Sequence, residues 1–292
     1  MSAVASPRES DVAIEDPTAP ASGTSAEFRS LDGLDLRGTL VVPPASAAGM
    51  AVMVHGGGVT RDEGGFFTRL AEGLAETGTA SLRFDFRGHG ESEGRQEDLT
   101  ICGVMNDIRA AIDYASERTG IAAVALIGTS FGGGISALFA SRYPDRVQSL
   151  VLLNPLLNYK KRFIDDKPYW TDDRIADEAG RDLVEHGFLP HSPTFKLGRG
   201  LLNEVFYVQP HRALPDIAAP TLVVHGTRDT FIPVASSRDA MERLRPGSTL
   251  IEIDGAQHGI AVQDDPSYLD PQTQAWQAHV IGVVAEWIRD HR

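Results

Sequence analysis

The stretch AAVALIGTSFGGG, residues 122–134, decides the fold. Residues 123–127 form a short apolar run that is typical of a buried strand in a parallel sheet. The pentapeptide GTSFG, residues 128–132, follows without a spacer, and residues 133–142 have a helical composition. A strand, a G-x-S-x-G turn and a helix together predict a nucleophile elbow, which lifts a serine hydroxyl above the sheet beside a helix N-terminus. We therefore predict Ser130 as a nucleophile.

A second match to the same pattern lies at GESEG, residues 90–94. It follows the polar loop that begins at residue 87, and no apolar helix pattern comes directly after it, so Ser92 has the weaker context. A plain strand-to-helix turn made of small residues, without chemistry, is the structural alternative for residues 128–132. That alternative does not explain why partners for a serine follow later in the chain.

Outward from this stretch, apolar strand patterns alternate with helical ones. Strands are predicted near residues 28–37, 38–42, 50–55, 79–84, 147–153, 221–225 and 249–253. The first two are predicted around a turn at Asp32-Gly33. Helices are predicted near residues 66–76, 101–114, 236–244 and 274–290. This alternation predicts an α/β fold with a mostly parallel central sheet flanked by helices. Residues 1–25 are rich in Ser, Ala, Pro and acidic residues, which predicts a disordered N-terminal arm.

The alternation stops between residues 156 and 212, and this stretch contains eight of the 21 aromatic residues. A connection of this length is functional or disordered, and its aromatic content argues against disorder. We predict a cap folded over the elbow, with short helices near residues 173–186 and 201–207. The α/β core then comprises residues 26–155 and 213–292. Most of the aromatics are expected to pack the cap onto the core, and one or two could line a pocket.

Two further side chains follow predicted strands at their carboxyl ends, where sites form in open α/β sheets. Asp229 follows the strand TLVVH, and His258 lies in a glycine-flanked loop after the last strand. A serine hydroxyl needs a base to take its proton, and a carboxylate holds the histidine in the productive tautomer. We therefore predict Ser130, Asp229 and His258 as a catalytic triad. Asp254 is the alternative acid.

Backbone N–H groups that stabilise a developing oxyanion are predicted at two places. The sequence HGGG, residues 55–58, ends a buried strand, and its glycines let N–H groups face a ligand. Gly57 is the first candidate donor and Gly58 the alternative; a structural turn is the reading without chemistry. The N–H of Phe131, directly after the nucleophile, is the second donor. His55 is expected to be a buried packing residue.

Composition restricts the partners. The net charge of −13 argues against binding to nucleic acid or to anionic membrane surfaces. The expected partner is a small-molecule ester or acyl substrate, and a homodimer is compatible with the sequence. We predict no cofactor, and no metal site because histidine spacings typical of metal ligands are absent. Cys102 is the single cysteine and is expected to be buried. With no signal peptide or membrane-length apolar run, we expect a cytoplasmic protein.

As a set, these motifs resemble the α/β-hydrolase superfamily. The stretches that carry the resemblance are HGGG at 55–58, DFRGHGESEG at 85–94, GTSFGG at 128–133, HGTRDTFIP at 225–233 and AQHG at 256–259. The resemblance is closest to the bacterial feruloyl/cinnamoyl esterase-like branch, whose members carry an insert between the sixth and seventh strands. It implies an α/β-hydrolase fold, triad roles for Ser130, Asp229 and His258, and oxyanion roles for Gly57 and Phe131.

These observations predict a serine hydrolase that cleaves a carboxylic ester through an acyl-enzyme. A thioesterase, lactonase or acyltransferase in a biosynthetic pathway would use the same triad with another acyl group or acceptor. A ligand receptor that kept the fold and lost turnover is the alternative from a different functional class.

Overall fold

The computed structural model describes residues 23–292. Within that range it has twelve β-strands, which are β1 Gly23–Arg29, β2 Asp35–Val41, β3 Gly49–Val54, β4 Thr79–Asp85, β5 Val124–Thr129, β6 Val147–Leu153, β7 Trp170–Thr171, β8 Arg174–Ile175, β9 Phe188–Ser192, β10 Phe195–Gly198, β11 Thr221–Gly226 and β12 Thr249–Ile253. Its α-helices are α1 Phe66–Glu76, α2 Ile101–Thr119, α3 Ser130–Arg142, α4 Asp177–Glu185, α5 Arg199–Glu204, α6 Pro210–Ala213, α7 Ala235–Met241 and α8 Pro271–Asp290.

Eight of the strands form one sheet in the order β1-β2-β4-β3-β5-β6-β11-β12. The pairs β1–β2 and β2–β4 are antiparallel, and every other pair in this sheet is parallel. The predicted α/β architecture with a mostly parallel sheet is therefore confirmed. Since parallel strands end at the same edge, the loops that follow β3, β5, β6, β11 and β12 lie together there.

Both faces of the sheet are covered, which explains the uninterrupted apolar runs in its strands. Alternate residues of β3 enter opposite hydrophobic clusters, with Val52 on one face and Met53 on the other. Helices α2 and α3 pack on the first face, and α1 and α8 on the second. Helix α2 begins at the cap residue Thr100, whose hydroxyl accepts the Gly103 N–H, and ends at Gly120 with φ of 75°. Its ends are thus set by local sequence.

Three expectations need correction. Residues 1–22 of the predicted N-terminal arm lie outside the described residues, but residues 23–25 belong to strand β1, which pairs with β2 along its whole length. The strands predicted at 28–37 and 38–42 span residues 23–29 and 35–41 instead, whereas the turn predicted at Asp32-Gly33 lies where expected, with φ of 93° at Gly33. Cys102 is exposed and not buried, since it lies on the outer side of α2.

The connecting segment, residues 156–212, lies between β6 and β11. It contains the hairpins β7–β8 and β9–β10 together with helices α4, α5 and α6. The predicted helices near 173–186 and 201–207 correspond to α4 and α5, whereas the hairpins were not predicted. Hairpin β9–β10 packs against the core, where a Cβ on Gly198 would lie 1.7 Å from the carbonyl oxygen of Glu97.

None of the helices within residues 23–292 is both long enough and apolar enough to cross a lipid bilayer.

Candidate active site

Ser130 is the first residue of α3 and lies in the tight turn that the elbow pattern predicts. Its φ is +50°, in the left-handed region that non-glycine residues rarely adopt. The two motif glycines are required by close contacts. A Cβ on Gly128 would lie 2.4 Å from the Ser136 Oγ atom, and a Cβ on Gly132 would lie 2.2 Å from the His55 carbonyl oxygen. The strained turn is therefore held between β5, α3 and the loop after β3.

The structure brings the three predicted triad residues into one chain of hydrogen bonds. The Nε2 atom of His258 lies 3.1 Å from the Oγ atom of Ser130. On the other side of the imidazole, Nδ1 lies 2.7 Å from the Oδ2 atom of Asp229. His258 is partly exposed, whereas the carboxylate of Asp229 is fully buried. The alcohol, the base and the acid thus stand in the order that serine activation needs.

Asp229 is held as an anion by several donors. Its Oδ1 atom accepts the N–H groups of Phe231 and Ile232 at 2.8 Å each, and its Oδ2 atom accepts the side-chain amide of Asn154 at 2.6 Å. Burial alone would raise the pKa of Asp229. Hydrogen bonds from His225, His258 and Asn154, with the charge of His258, outweigh burial and hold that pKa below its ordinary value.

Sequence reasoning missed Asn154. It follows β6 directly and has φ of 43°, so its side chain projects at the same sheet edge as the triad residues. The rule that sites form at the carboxyl ends of parallel strands could have found it. Its amide fixes the carboxylate that in turn orients His258.

The oxyanion loop, residues 55–58, runs beside the serine. A Cβ on Gly56 would lie 3.4 Å from the Cβ atom of Ser130. The N–H of Gly58 is donated to the Nε2 atom of His89 at 3.0 Å, so it is engaged within the protein. No acceptor within residues 23–292 takes the N–H of Gly57. Of the two candidate donors in this loop, Gly57 and Gly58, the hydrogen bonding therefore favours Gly57.

Phe131 lies at the beginning of α3, where backbone N–H groups have no partner within the helix. Its ring is buried, and its carbonyl oxygen accepts the hydroxyl of Tyr159 at 2.5 Å. The ring of Phe195 from hairpin β9–β10 lies 5.3 Å away between centroids. The connecting segment thus fixes the residue whose N–H is the second predicted donor.

The loop also contacts a buried carboxylate that the sequence did not single out. Glu63 accepts the N–H of Gly56, one residue before Gly57. It lies in a turn where Glu63 itself has φ of 46° and Gly64 and Gly65 also have positive φ. Burial raises the pKa of Glu63 to about 7.

The alternatives from the sequence have structural roles. Ser92 accepts the Arg37 N–H at 2.9 Å and donates to the carbonyl oxygen of Asp85, so it fixes a loop to β2. Asp254 accepts the hydroxyl of Thr227 at 3.1 Å. His55 is confirmed as a packing residue, because it is fully buried and bonded to backbone on both ring nitrogens.

Comparison with known proteins gives the following similarities. A sequence profile described as the alpha/beta hydrolase fold matches residues 52–188. A monoacylglycerol lipase of Mycolicibacterium smegmatis is 26% identical over 90% of this chain and 96% of its own length.

Solved structures agree in fold. The enzyme Est1E of Butyrivibrio proteoclasticus with ferulic acid bound superposes with a TM-score of 0.75 at 23% identity, covering 91% of this chain and 99% of Est1E. A dienelactone hydrolase from Anabaena variabilis superposes with a TM-score of 0.63 at 21% identity, covering 94% of this chain and 99% of its own. The closer likeness to the feruloyl esterase branch stays a prediction. The sheet order, the profile match and these superpositions agree on one point: this chain has the α/β-hydrolase fold.

Proposed function

We propose that the protein is a serine esterase that cleaves a carboxylic ester of a small or medium-sized substrate. The observation that carries the proposal is the continuous hydrogen-bonded chain from Ser130 through His258 to Asp229. The names of the relatives support the same reaction class, since one is a monoacylglycerol lipase and another holds ferulic acid.

In the proposed reaction the Oγ atom of Ser130 attacks the ester carbonyl carbon while His258 takes the hydroxyl proton at Nε2. The carbonyl oxygen becomes negative and is stabilised by the N–H groups of Gly57 and Phe131. His258 then gives its proton to the departing alcohol, which leaves an acyl-serine. Water, deprotonated by His258, attacks this second ester and releases the acid and the free serine. The chemistry needs no cofactor.

The connecting segment is proposed to act as the cap of this site. Phe195 packs over the oxyanion loop, because a Cβ on Gly57 would lie 2.7 Å from its ring. On the opposite side, the ring of Phe231 lies 5.1 Å from the imidazole of His258. The proposed substrate is a small or medium-sized ester that contacts these aromatic side chains. We further propose that the protein acts in the cytoplasm.

A fluorophosphonate probe tests the proposal. The folded wild type should acquire one covalent adduct, located on Ser130 by peptide mass spectrometry, and should hydrolyse p-nitrophenyl butyrate. Ser130→Ala should lose both, whereas Ser92→Ala, the same change in the other G-x-S-x-G sequence, should keep the adduct. An unlabelled Ser130 in folded protein, with no ester hydrolysed, would refute the proposal.

A further inference from the structure

Arg162 lies one aromatic ring away from the candidate base. It belongs to a π-helical turn at Lys161–Asp165, near the start of the connecting segment. The guanidinium carbon of Arg162 lies 4.1 Å from the ring centroid of Phe231. The ring of Phe231 in turn contacts the imidazole of His258, at 5.1 Å between centroids. A group bound by Arg162 would therefore lie close to an ester held at Ser130.

The ion pairing of Arg162 differs from that of the two lysines before it. Lys160 pairs with Asp165 at 2.6 Å, and Lys161 pairs with Asp166 at 2.5 Å. No carboxylate of residues 23–292 lies within ion-pair distance of Arg162, and its Nε atom is buried without an acceptor there. A buried donor without an acceptor has lost its hydrogen bonds to water without replacement, and the cost is larger for a charged group. An anionic ligand would remove that cost.

Two further groups with donor capacity share this region. Lys167 is half-buried, and within residues 23–292 no carboxylate lies within ion-pair distance of it. Burial, followed by the charge of Arg162, lowers the pKa of Lys167. The Nδ1 atom of His191 is buried without a hydrogen-bond partner among the described residues. Burial and the charges of Lys167 and Arg162 lower the pKa of His191 to about 3, so its ring is neutral.

The acids that face Arg162 are already engaged. Asp166 and Asp229 both favour the charged form of Arg162, although burial is the larger influence and lowers its pKa. Asp166 is paired with Lys161, and Asp229 is bonded to His258. The basic cluster, defined as Arg162, Lys167 and His191, is therefore left with donors but without an anion.

Arg162 also lines a cavity of about 530 Å³ beside Phe231. Much of its wall is apolar and comes from Leu156, Leu157, Leu214, Phe231, Ile232 and Pro233. The charged residues of the wall besides Arg162 are Lys161, Arg243, Asp166 and Asp239. A cavity of this size accommodates a small organic ligand, and its few polar groups fix the orientation of that ligand. Of the basic cluster, Arg162 lines this cavity, and Lys167 and His191 lie outside its wall. The apolar wall and Arg162 together suit a molecule with an apolar chain and an anionic end.

We propose that the basic cluster binds the anionic group of the substrate, so that the enzyme prefers esters bearing a carboxylate or a phosphate on a short chain. This inference rests on the proposed esterase function and names its substrate class. The geometry fits, because Arg162 offers a planar fork that matches both oxyanions. The net charge of −13 gives an anion no general attraction to the protein, so a local site is needed.

The test compares three matched esters: p-nitrophenyl pentanoate, mono-p-nitrophenyl glutarate and p-nitrophenyl 4-phosphonobutanoate. The readout is the ratio of kcat/KM for each anionic ester to that for the neutral one. In the wild type, this ratio should be about ten or more for at least one anionic ester. The reason is that the neutral ester cannot accept the charged hydrogen bond that Arg162 donates to the anionic group. The carboxylate and phosphonate ratios distinguish the two sources of the anion.

Arg162→Met retains an apolar stem against Phe231 and should bring the ratio close to one. Arg162→Lys should give an intermediate ratio, because it keeps the charge and loses the planar fork. Arg181→Met, the same change at an exposed position of α4, should leave the ratio at the wild-type value. Thermal unfolding verifies that each variant is folded.

A wild-type ratio near one, with hydrolysis still dependent on Ser130, would overturn the anion site and leave the esterase function standing. Binding of glutarate to Ser130→Ala by calorimetry gives a readout without turnover. Binding that is lost in Ser130→Ala/Arg162→Met supports the site even if no ester is hydrolysed. Equal binding by the single and the double variant would contradict it.

Discussion

The sheet edge and the connecting segment differ in how their buried polar groups are satisfied. At the sheet edge, Asp229 accepts hydrogen bonds from backbone and side chains of three loops. In the connecting segment, Arg162, Tyr169, Trp170 and His191 each bury a polar side-chain atom without a partner among the described residues. The carboxylate of Asp229 is fully bonded before any ligand arrives, although the Oδ1 atom of Asn154 beside it has no partner among the described residues. A fixed carboxylate suits preorganised catalysis. The segment keeps unused donors, which suits recognition of a ligand.

If the chemistry resides at the sheet edge, Asp229→Asn should have the largest effect. An amide at this position cannot hold the histidine in the productive tautomer, and kcat should fall about 10⁴-fold with the fold retained. Asp254→Asn is the matched control, because Asp254 bonds Thr227 instead of a histidine. Steady-state kinetics on p-nitrophenyl butyrate measures both. A loss shared equally by the two variants would contradict the assignment of the acid.

The same contrast explains what the sequence could predict. Ser130, Asp229 and His258 follow strands whose patterns are local, and parallel pairing brings all strand ends to one edge. The connecting segment has no such repeat. Its hairpins have strands of two to five residues, and contacts distant in sequence, such as Gly198 against Glu97, position β10. Glu63 was missed because a single polar residue in a turn has no periodic pattern, whereas Asn154 directly follows β6 and could have been found from the rule on strand ends.

The next largest effect should be a loss of stability when the hydrophobic packing between the connecting segment and the core is weakened. Phe195 is buried, with its ring 5.3 Å from Phe131 and 5.9 Å from His191 between centroids. Phe195→Ala should reduce the free energy of unfolding by about 3–5 kcal/mol, as for other buried aromatics. Tyr207→Ala is the control, since Tyr207 is 88% exposed. Urea denaturation compares them, and a loss below about 1 kcal/mol for Phe195→Ala would show a segment only weakly joined to the core.

Glu63 is a buried carboxylate beneath the oxyanion loop and should make stability depend on pH. Its pKa is raised from 4.5 to about 7 by burial, so the folded protein binds the proton more tightly than the unfolded chain. The contribution is fully present below about pH 4.5 and is lost as the pH rises through about 7. In Glu63→Gln this dependence is absent. The free energy of unfolding of the variant minus that of wild type should increase by up to about 3 kcal/mol from pH 5 to pH 8.

Urea denaturation across that pH range measures the difference for Glu63→Gln. Glu76→Gln removes an exposed carboxylate at the end of α1 and controls for the change in net charge. Parallel pH profiles for wild type and Glu63→Gln would mean that water reaches the carboxylate, and that the loop beside Ser130 is more open than its contacts indicate.

The smallest expected effect is the gain in stability when a helical glycine with free space around it is replaced by alanine. The same replacement should stabilise the connecting segment and destabilise the elbow. Gly180 lies within α4 of the connecting segment, and a Cβ there would meet only the Ile175 Cγ2 atom, at 3.8 Å. Gly180→Ala should therefore stabilise the protein by about 0.5–1 kcal/mol, because alanine loses less backbone entropy in a helix. Gly132→Ala, the same change in α3, should destabilise it, since the added Cβ would meet the His55 carbonyl oxygen at 2.2 Å. Thermal unfolding of both variants compares them. If Gly180→Ala were also destabilising, the connecting segment would be packed as tightly as the elbow, and its unused donors would have no room to reach a ligand.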